Sequence, residues 1–339
     1  MKVLVIRFSS IGDIVLTTPV VRCIKQQHPD YQVHYLTKIT FAPLLAYNPY
    51  IDKLHYLHDN LNEVIQELKK EKFDVVIDLH NNLRTLRVKL ALGAKSYAFN
   101  KLNKEKWLLT NFKINILPDE SIVERYLETV RPLNVRNDGK GLDYFLPPDK
   151  KITNDDLPMS HWGGYVGFVI GGSCFTRRLP AEQWKKLCAL VPYPIVLIGG
   201  PEELNAGIEI SATDNIKIYN SCGKFNINES AELVKYARVI VTNDTGLMHI
   251  SAAFKKPIIS IWGNNSPDMG MFPYYGNNNL KERIAPQLMI METKGLRCHP
   301  CSKIGYGKCP KGHFKCMNDL DMNKIAEQLI RYWRNETAI

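Results

Sequence analysis

At 339 residues the chain exceeds the roughly 250–300 residues over which one hydrophobic core keeps growing, so two domains are expected, each able to bury a core. It has 45% hydrophobic residues, a formal charge of +10 and no run of about 18 apolar residues, which excludes a membrane-spanning chain. Met1-Lys2 leads directly into an apolar run that Asp13 interrupts, unlike a secretory signal, and a cytoplasmic protein is expected.

Short apolar runs alternate with longer amphipathic ones, the pattern of βα units and mainly parallel sheets. In the first half, strands are expected at 3–8, 33–36, 53–57, 75–79 and 96–99, with helices at 61–70 and 122–131 among those filling the gaps. Pro19 is tolerable only in a first turn, so a helix is expected to begin near Thr17 or Thr18. The first strand exits into Ser9, Ser10, Gly12 and Asp13. Small residues let a backbone approach a ligand with Asp13 projecting toward it, while Asp here equally suits a helix N-cap.

Between His80 and Lys113 eight Lys and Arg residues face one acid, Glu105, and Trp107, Leu108, Leu109 and Phe112 interleave with them. Surfaces that meet anionic lipid or polyanions look like this, and so does a solvated basic face beside core residues. No nucleic-acid-binding motif accompanies the charge. The stretch 143–164, with three prolines and a polar cluster, interrupts all periodicity and reads as a linker.

The alternation restarts with strands expected at 166–170, 195–198, 216–219, 239–242, 258–262 and 288–291, and helices at 181–191, 229–236 and 247–254. Ligands of open parallel sheets bind beyond the carboxyl ends of the strands, so residues just after strands are the candidates. At 170–180, Gly171, Gly172 and Ser173 offer amide donors, and Arg177 and Arg178 offer planar forks suited to phosphate oxygens. Glu202 or Glu203, after the next strand, could accept hydrogen bonds from a ribose or simply begin a helix. At 241–254 a strand ends at Asn243-Asp244 and a helix opens at Thr245-Gly246, an anion site within reach of His249. The competing readings are Asp244 as a cap and His249 as a structural histidine.

Four cysteines, Cys298, Cys301, Cys309 and Cys316, follow a C-x2-C-x7-C-x6-C spacing. They read either as a structural zinc knuckle or as free thiols in a Gly/Pro-rich loop. Neither G-x-G-x-x-G nor G-x-x-x-x-G-K-[ST] follows a strand, which disfavours a dehydrogenase and a P-loop enzyme.

Taken together, "RFSSIGDIVLTTPV", "DLHNNLRT", "TRRLP" and "NDTGLMHISAA" closely resemble glycosyltransferase family 9, the heptosyltransferases of the lipopolysaccharide inner core. The resemblance implies an α/β chain of the GT-B class, two Rossmann-like doubly wound domains facing a central cleft. Residues 1–155 would bind the acceptor and 160–320 the nucleotide sugar, and a helix in 321–339 would return toward the N-terminal domain. It makes Asp13 the catalytic base and puts Ser10, Gly12, Asn81 and Arg84 on the acceptor side. Ser173, Arg177, Arg178, Glu202, Asp244, Thr245, Gly246 and His249 would hold the donor. Arg177 stands where many members have lysine. The implied reaction is inverting and metal-independent: one base for the attacking hydroxyl and fixed cations for the departing diphosphate form a sufficient set. ADP-heptose is the expected donor and a lipid-linked glycan at the inner face of an anionic membrane the expected acceptor, with no cofactor required and no nucleic acid. Another nucleotide sugar, or a non-catalytic sugar-nucleotide binder, are the alternatives.

Overall fold

The computed structural model describes residues 1–149, 152–276 and 286–335. The first half forms a five-stranded parallel sheet of β1 (Lys2–Ile6), β2 (Gln32–Lys38), β3 (Lys53–Leu57), β4 (Val75–Asp78) and β5 (Lys95–Ala98), in the order β3-β2-β1-β4-β5. Its helices are α1 (Ile11–Val15), α2 (Thr18–Gln27), α3 (Leu61–Glu71), α4 (Leu83–Leu92), α5 (Asn103–Phe112) and α6 (Ile122–Leu127). Successive strand residues face opposite ways, so β1 feeds two cores. Val3 and Val5 pack with Val20, Val21 and Ile24 of α2, whereas Leu4 and Ile6 pack with Leu61, Val64, Ile65 and Leu68 of α3.

The second half is a six-stranded parallel sheet of β6 (Val166–Val169), β7 (Ile195–Ile198), β8 (Ile218–Asn220), β9 (Val239–Asn243), β10 (Ile258–Trp262) and β11 (Leu288–Glu292), in the order β11-β10-β9-β6-β7-β8. Its helices are α7 (Ala181–Leu190), α8 (Leu204–Ser211), α9 (Ile227–Tyr236), α10 (Gly246–Ala253), α11 (Lys315–Asn318) and α12 (Met322–Trp333). Strands β6, β7, β9 and β10 are buried throughout, as expected of parallel strands covered on both faces.

Several expected elements change shape. Pro19 sits in the first turn of α2, where its missing N–H costs nothing, and the helix begins at Thr18. The helix expected over 122–131 ends at Leu127 and tightens into a 3₁₀ turn, Glu128–Leu133, that accommodates Pro132. The stretch 143–164 contains two 3₁₀ turns, Asn154–Asp156 and Met159–His161, and its positions 150–151 lie outside the described residues.

The terminal helix corrects an expectation. It packs on the second half instead of returning to the first, and positions 336–339 lie outside the described residues. Met322, Ile325, Ala326, Leu329 and Tyr332 of α12 are buried in the second core with Trp184 and Leu187 of α7, and Trp333 stacks on Tyr193 with 4.1 Å between ring centres. An amphipathic stripe shows that a helix needs a partner, and α7 supplies it. The link back to the first half is made instead by the segment after β10. Gly270 O accepts from Ile122 N at 2.8 Å, Met269 O accepts from Arg125 Nη2 at 3.1 Å, and Tyr274 Oη donates to Glu124 Oε1 at 2.6 Å.

Within the first half, Arg22 on α2 is almost fully buried, with Nε and Nη2 donating to Asp138 at 2.8 Å each, Nη1 paired to Asp143, and Nη2 donating to Gly141 O. It pins residues 138–143 to the first core. Removing one partner of such a buried network leaves charge uncompensated, so Arg22→Met is expected to lower stability by about 3–5 kcal/mol in urea unfolding. Asp138→Asn and Asp143→Asn placed in the same chain should recover part of that loss.

Candidate functional site

The exits of β1, β4, β5, β6, β7, β9 and β10 all line one cleft of about 980 Å³ between the two sheets. Two short helices cross at its floor. Glycine is required at both crossing points, since a Cβ on Gly12 would lie 2.6 Å from His249 Cδ2 and one on Gly246 would lie 2.5 Å from Ile11 Cγ2. α1 and α10 therefore pack backbone to backbone, and the first half's Asp13 is brought to the N-terminus of the second half's α10.

Asp13 is the third residue of α1, not its N-cap, which is Ser10. Its Oδ2 accepts from Ser10 N at 3.2 Å and Ser10 Oγ at 2.8 Å, bonds that brace the helix start. Its Oδ1 lies 2.6 Å from Arg7 Nη2, and the side chain keeps one-fifth of its surface open to the cleft. Asp13 thus braces the start of a helix and faces the cleft at once. Burial alone would raise its pKa, but the Arg7 guanidinium and the two Ser10 donors outweigh that and hold the carboxyl below the usual aspartate value. Arg7 is itself fixed from behind, donating to Leu79 O, Ser9 O and Tyr126 Oη.

Opposite, Asn243 at the end of β9 ties two strand exits together. Its Nδ2 donates to Ile170 O and Gly171 O at 2.9 and 3.1 Å, and its Oδ1 accepts from Leu179 N at 3.1 Å. Asp244 beside it is held by Asn265 Nδ2 and by Arg177 Nη1 at 3.1 Å. Arg178 donates to Gly172 O at 2.6 Å and pairs with Glu203 at 3.3 Å. Each arginine therefore has a carboxylate partner, and both line the cleft. Thr245 is the N-cap of α10, its Oγ1 accepting from Leu247 N and its O from Met248 N, at the helix start where α1 arrives.

His249 is buried, which lowers its pKa, and its Nδ1 has no partner among the described residues. Of the two glutamates suited to a ribose, Glu203 is buried against Gly200 N and Arg178, and Glu202 is the exposed one at the rim. Ser173, Ser10 and Gly12 line the cleft.

Two expected acceptor-side residues do not line it. Asn81 takes a left-handed backbone (φ 50°), its N–H caps the Asp78 carboxylate, and its Nδ2 donates to Phe99 O, so it staples the exits of β4 and β5. Arg84 lies over the Phe8 ring at 5.4 Å. Their places are taken by His80, Lys101, Lys106 and, reaching from the second half, Lys303. None of these three lysines has a carboxylate partner among the described residues. Burial, then the neighbouring Arg125 and Lys303, brings Lys106 down to about 8, and burial with Arg7 and Lys101 brings His80 down to about 4. Lys101 and Lys106 belong to the basic stretch 80–113, but helix periodicity does not reveal which of its charges turn inward.

The cysteine loop crosses the cleft as a clasp. Lys113 Nζ donates to Pro300 O at 2.6 Å, Arg177 Nη2 to Lys303 O at 3.0 Å, and Lys303 Nζ to Asn103 Oδ1 at 3.1 Å. Cys298 Sγ lies 3.7 Å from His313 Nε2, and Cys316 is buried in the second core. The expected zinc ligands Cys298, Cys301, Cys309 and Cys316 do not bring three sulfurs within 4.8 Å of one another in this structure.

A sequence model described as glycosyltransferase family 9 (heptosyltransferase) matches residues 61–289. Lipopolysaccharide heptosyltransferase 1 of Campylobacter coli is 28% identical over 326 residues, covering 87% of this chain and 92% of that protein. Lipopolysaccharide heptosyltransferase 2 of Escherichia coli K12 is 24% identical over 356 residues, 97% of both chains. Among solved structures, E. coli ADP-heptose lps heptosyltransferase II superposes with a TM-score of 0.72 at 20% identity over all of both chains. E. coli heptosyltransferase WaaC with ADP superposes with a TM-score of 0.66 at 18% identity, covering 98% of this chain and 100% of that one. The two-sheet architecture is that of the GT-B fold.

Arg7→Met leaves the half-buried Asp13 without its cation, so its carboxyl titration, followed by carbon NMR of labelled aspartate, should move upward from its depressed position. An unchanged titration would mean that Arg7 does not set the charge state of Asp13.

Proposed function

The chain belongs to glycosyltransferase family 9, and from that premise we propose that it transfers heptose from ADP-heptose to a lipopolysaccharide core acceptor, with inversion, using Asp13 as base. The observation that carries this reading is the Asp13 carboxylate, held ionised by Arg7 and partly open to the cleft, at the crossing of α1 with the N-terminus of α10.

The acceptor hydroxyl enters beside Asp13, loses its proton to the carboxylate and attacks the anomeric carbon from the face opposite the diphosphate. The bond between that carbon and the diphosphate oxygen breaks, and the electron pair leaves with ADP. One displacement inverts the centre and needs only one carboxylate. Arg7 keeps Asp13 deprotonated near neutral pH at some loss of basicity. The departing negative charge meets the free N–H groups of Arg177 and Arg178 and the amides at the start of α10, donors that are already in place. The carboxylate on that side, Asp244, is engaged by Arg177 and Asn265, so the leaving group is met by fixed cations and amides, and this supports metal-independent transfer.

Lys101 and Lys106 are partly desolvated and crowded by other cations, among them the exposed Lys303, an arrangement that suits an acceptor carrying carboxylate or phosphate near its reactive hydroxyl. Beyond them, α4 and α5 expose Leu83, Leu90, Trp107 and Phe112, followed by Ile114 and Ile116, beside Arg84, Arg87 and Lys104. No helix among the described residues is long and apolar enough to cross a membrane. Apolar side chains among cations fit instead the surface of an anionic cytoplasmic leaflet, where a lipid-linked acceptor would be presented.

The test offers ADP-, GDP-, UDP- and CDP-sugars to the protein with a heptose-deficient lipopolysaccharide core as acceptor. ADP-heptose should be consumed fastest, giving a product of inverted anomeric configuration by NMR and unchanged yield in a chelator. Preference for another nucleotide would replace the donor, and a retained configuration would overturn the mechanism. In the same preparation, co-sedimentation with anionic vesicles and not with neutral ones is expected, and equal behaviour with both would rule out recognition of an anionic membrane surface.

A further inference from the structure

At the far side of the first sheet, away from the cleft, two imidazoles and a carboxylate converge. His34 on β2 and His55 on β3 share one face as diagonal neighbours, since His34 pairs with Lys53 and Leu36 with His55 in the strand register. Both are buried, at 4% and 8% exposure. His34 Nδ1 and His55 Nε2 lie 2.9 Å apart, so one ring nitrogen donates and the other accepts. Glu71, the last residue of α3, completes a set whose donor atoms all lie within 4.8 Å of one another.

We propose that His34, His55 and Glu71 form a structural site for a divalent transition metal of the zinc class, tying β2, β3 and α3 together. Two nitrogens and one carboxylate oxygen are a donor set that suits zinc, with water in the fourth position. Two nitrogens at about 2.0–2.1 Å from a tetrahedral ion stand about 3.3 Å apart. The rings need to separate by only a few tenths of an ångström from where they are. The proton now shared between them moves to the far nitrogen of its own ring, so no proton has to leave the pair.

The surroundings favour a bound ion over a free polar cluster. The edge of Phe73 closes over both rings, with centroids at 5.3 and 6.0 Å, and Leu36, Leu57 and Leu68 form the neighbouring core, so the imidazoles have little access to water. Glu71 is now neutralised by Lys2, at 2.9 Å, and by Lys53. The Lys53 side chain is 54% exposed and that of Lys2 25%, so either can swing into water as the dication takes its place. None of the three residues lines the cleft, and occupancy of the site would bear on folding rather than on transfer.

The test uses the full-length protein stripped by chelator, reloaded with Zn²⁺ alone, desalted and analysed for bound metal, with melting temperature as second readout. Because the cysteine loop can also collect zinc, the Cys298→Ser/Cys301→Ser variant is run beside His55→Gln and Glu71→Gln. The cysteine variant should retain one ion and wild type at least one, both melting higher with Zn²⁺, while His55→Gln and Glu71→Gln should each hold one ion fewer than wild type and lose that rise. Metal-free melting curves show whether each variant is folded. Should His55→Gln not fold, Glu71→Gln, at the more exposed end of the cluster, decides. Binding unchanged in Glu71→Gln, lost in the cysteine variant, or absent from wild type would overturn the proposal.

Discussion

The site depends on a contact that leaves no room for a side chain. Where α1 meets α10, Gly12 and Gly246 let two helix starts from different sheets approach until any Cβ would collide with His249 or Ile11. Each helix begins at the carboxyl end of a strand, and each strand is locked in a parallel sheet with register on both sides. That places the carboxylate of one half against the helix start of the other. Had either helix carried alanine, the overlap of about an ångström would have had to be absorbed by a shift of the two sheets.

Around this contact the charges fall into two kinds. Asp13 with Arg7, Asp244 with Arg177 and Glu203 with Arg178 are matched pairs, each backed by hydrogen bonds that fix its geometry. They add little net field and hold their atoms where reacting groups would come. The lysines at 101, 106 and 303 are unmatched by carboxylates among the described residues, and in the proposed reaction they would attract the anionic ligands. A pre-set arrangement of this kind stabilises developing charge without reorganising when the reaction occurs.

The strand exits are legible in the sequence because an apolar, β-branched run that ends in Gly, Ser, Asn or Asp marks a buried strand meeting a turn, and Asp13, Asp244, Thr245 and Gly246 lie where such runs end. Partnerships across long separations are not legible. Nothing local shows that Arg177 turns to Asp244, that Asn81 staples β4 to β5, or that α12 chooses α7. The amphipathic pattern of α12 identifies a helix with a buried face, but a stripe of hydrophobic residues does not name its partner. The inward turn of Lys101 and Lys106 is hidden for a similar reason, since a basic stretch reads as solvated until neighbouring elements close over part of it. Cysteine spacing suggests a metal knuckle, yet the donor set that does converge comes from two histidines and a glutamate that are distant in sequence.

In this mechanism Asp13 removes the acceptor proton while the rest of the cleft only binds and orients. Single-turnover transfer by Asp13→Asn, started from enzyme saturated with donor, tests that division of labour most directly. Donor affinity should stay close to wild type while the chemical step slows by about 10²–10⁴-fold. Transfer at the wild-type rate from a normally bound donor would show that another group takes the proton and would contradict the role assigned to Asp13.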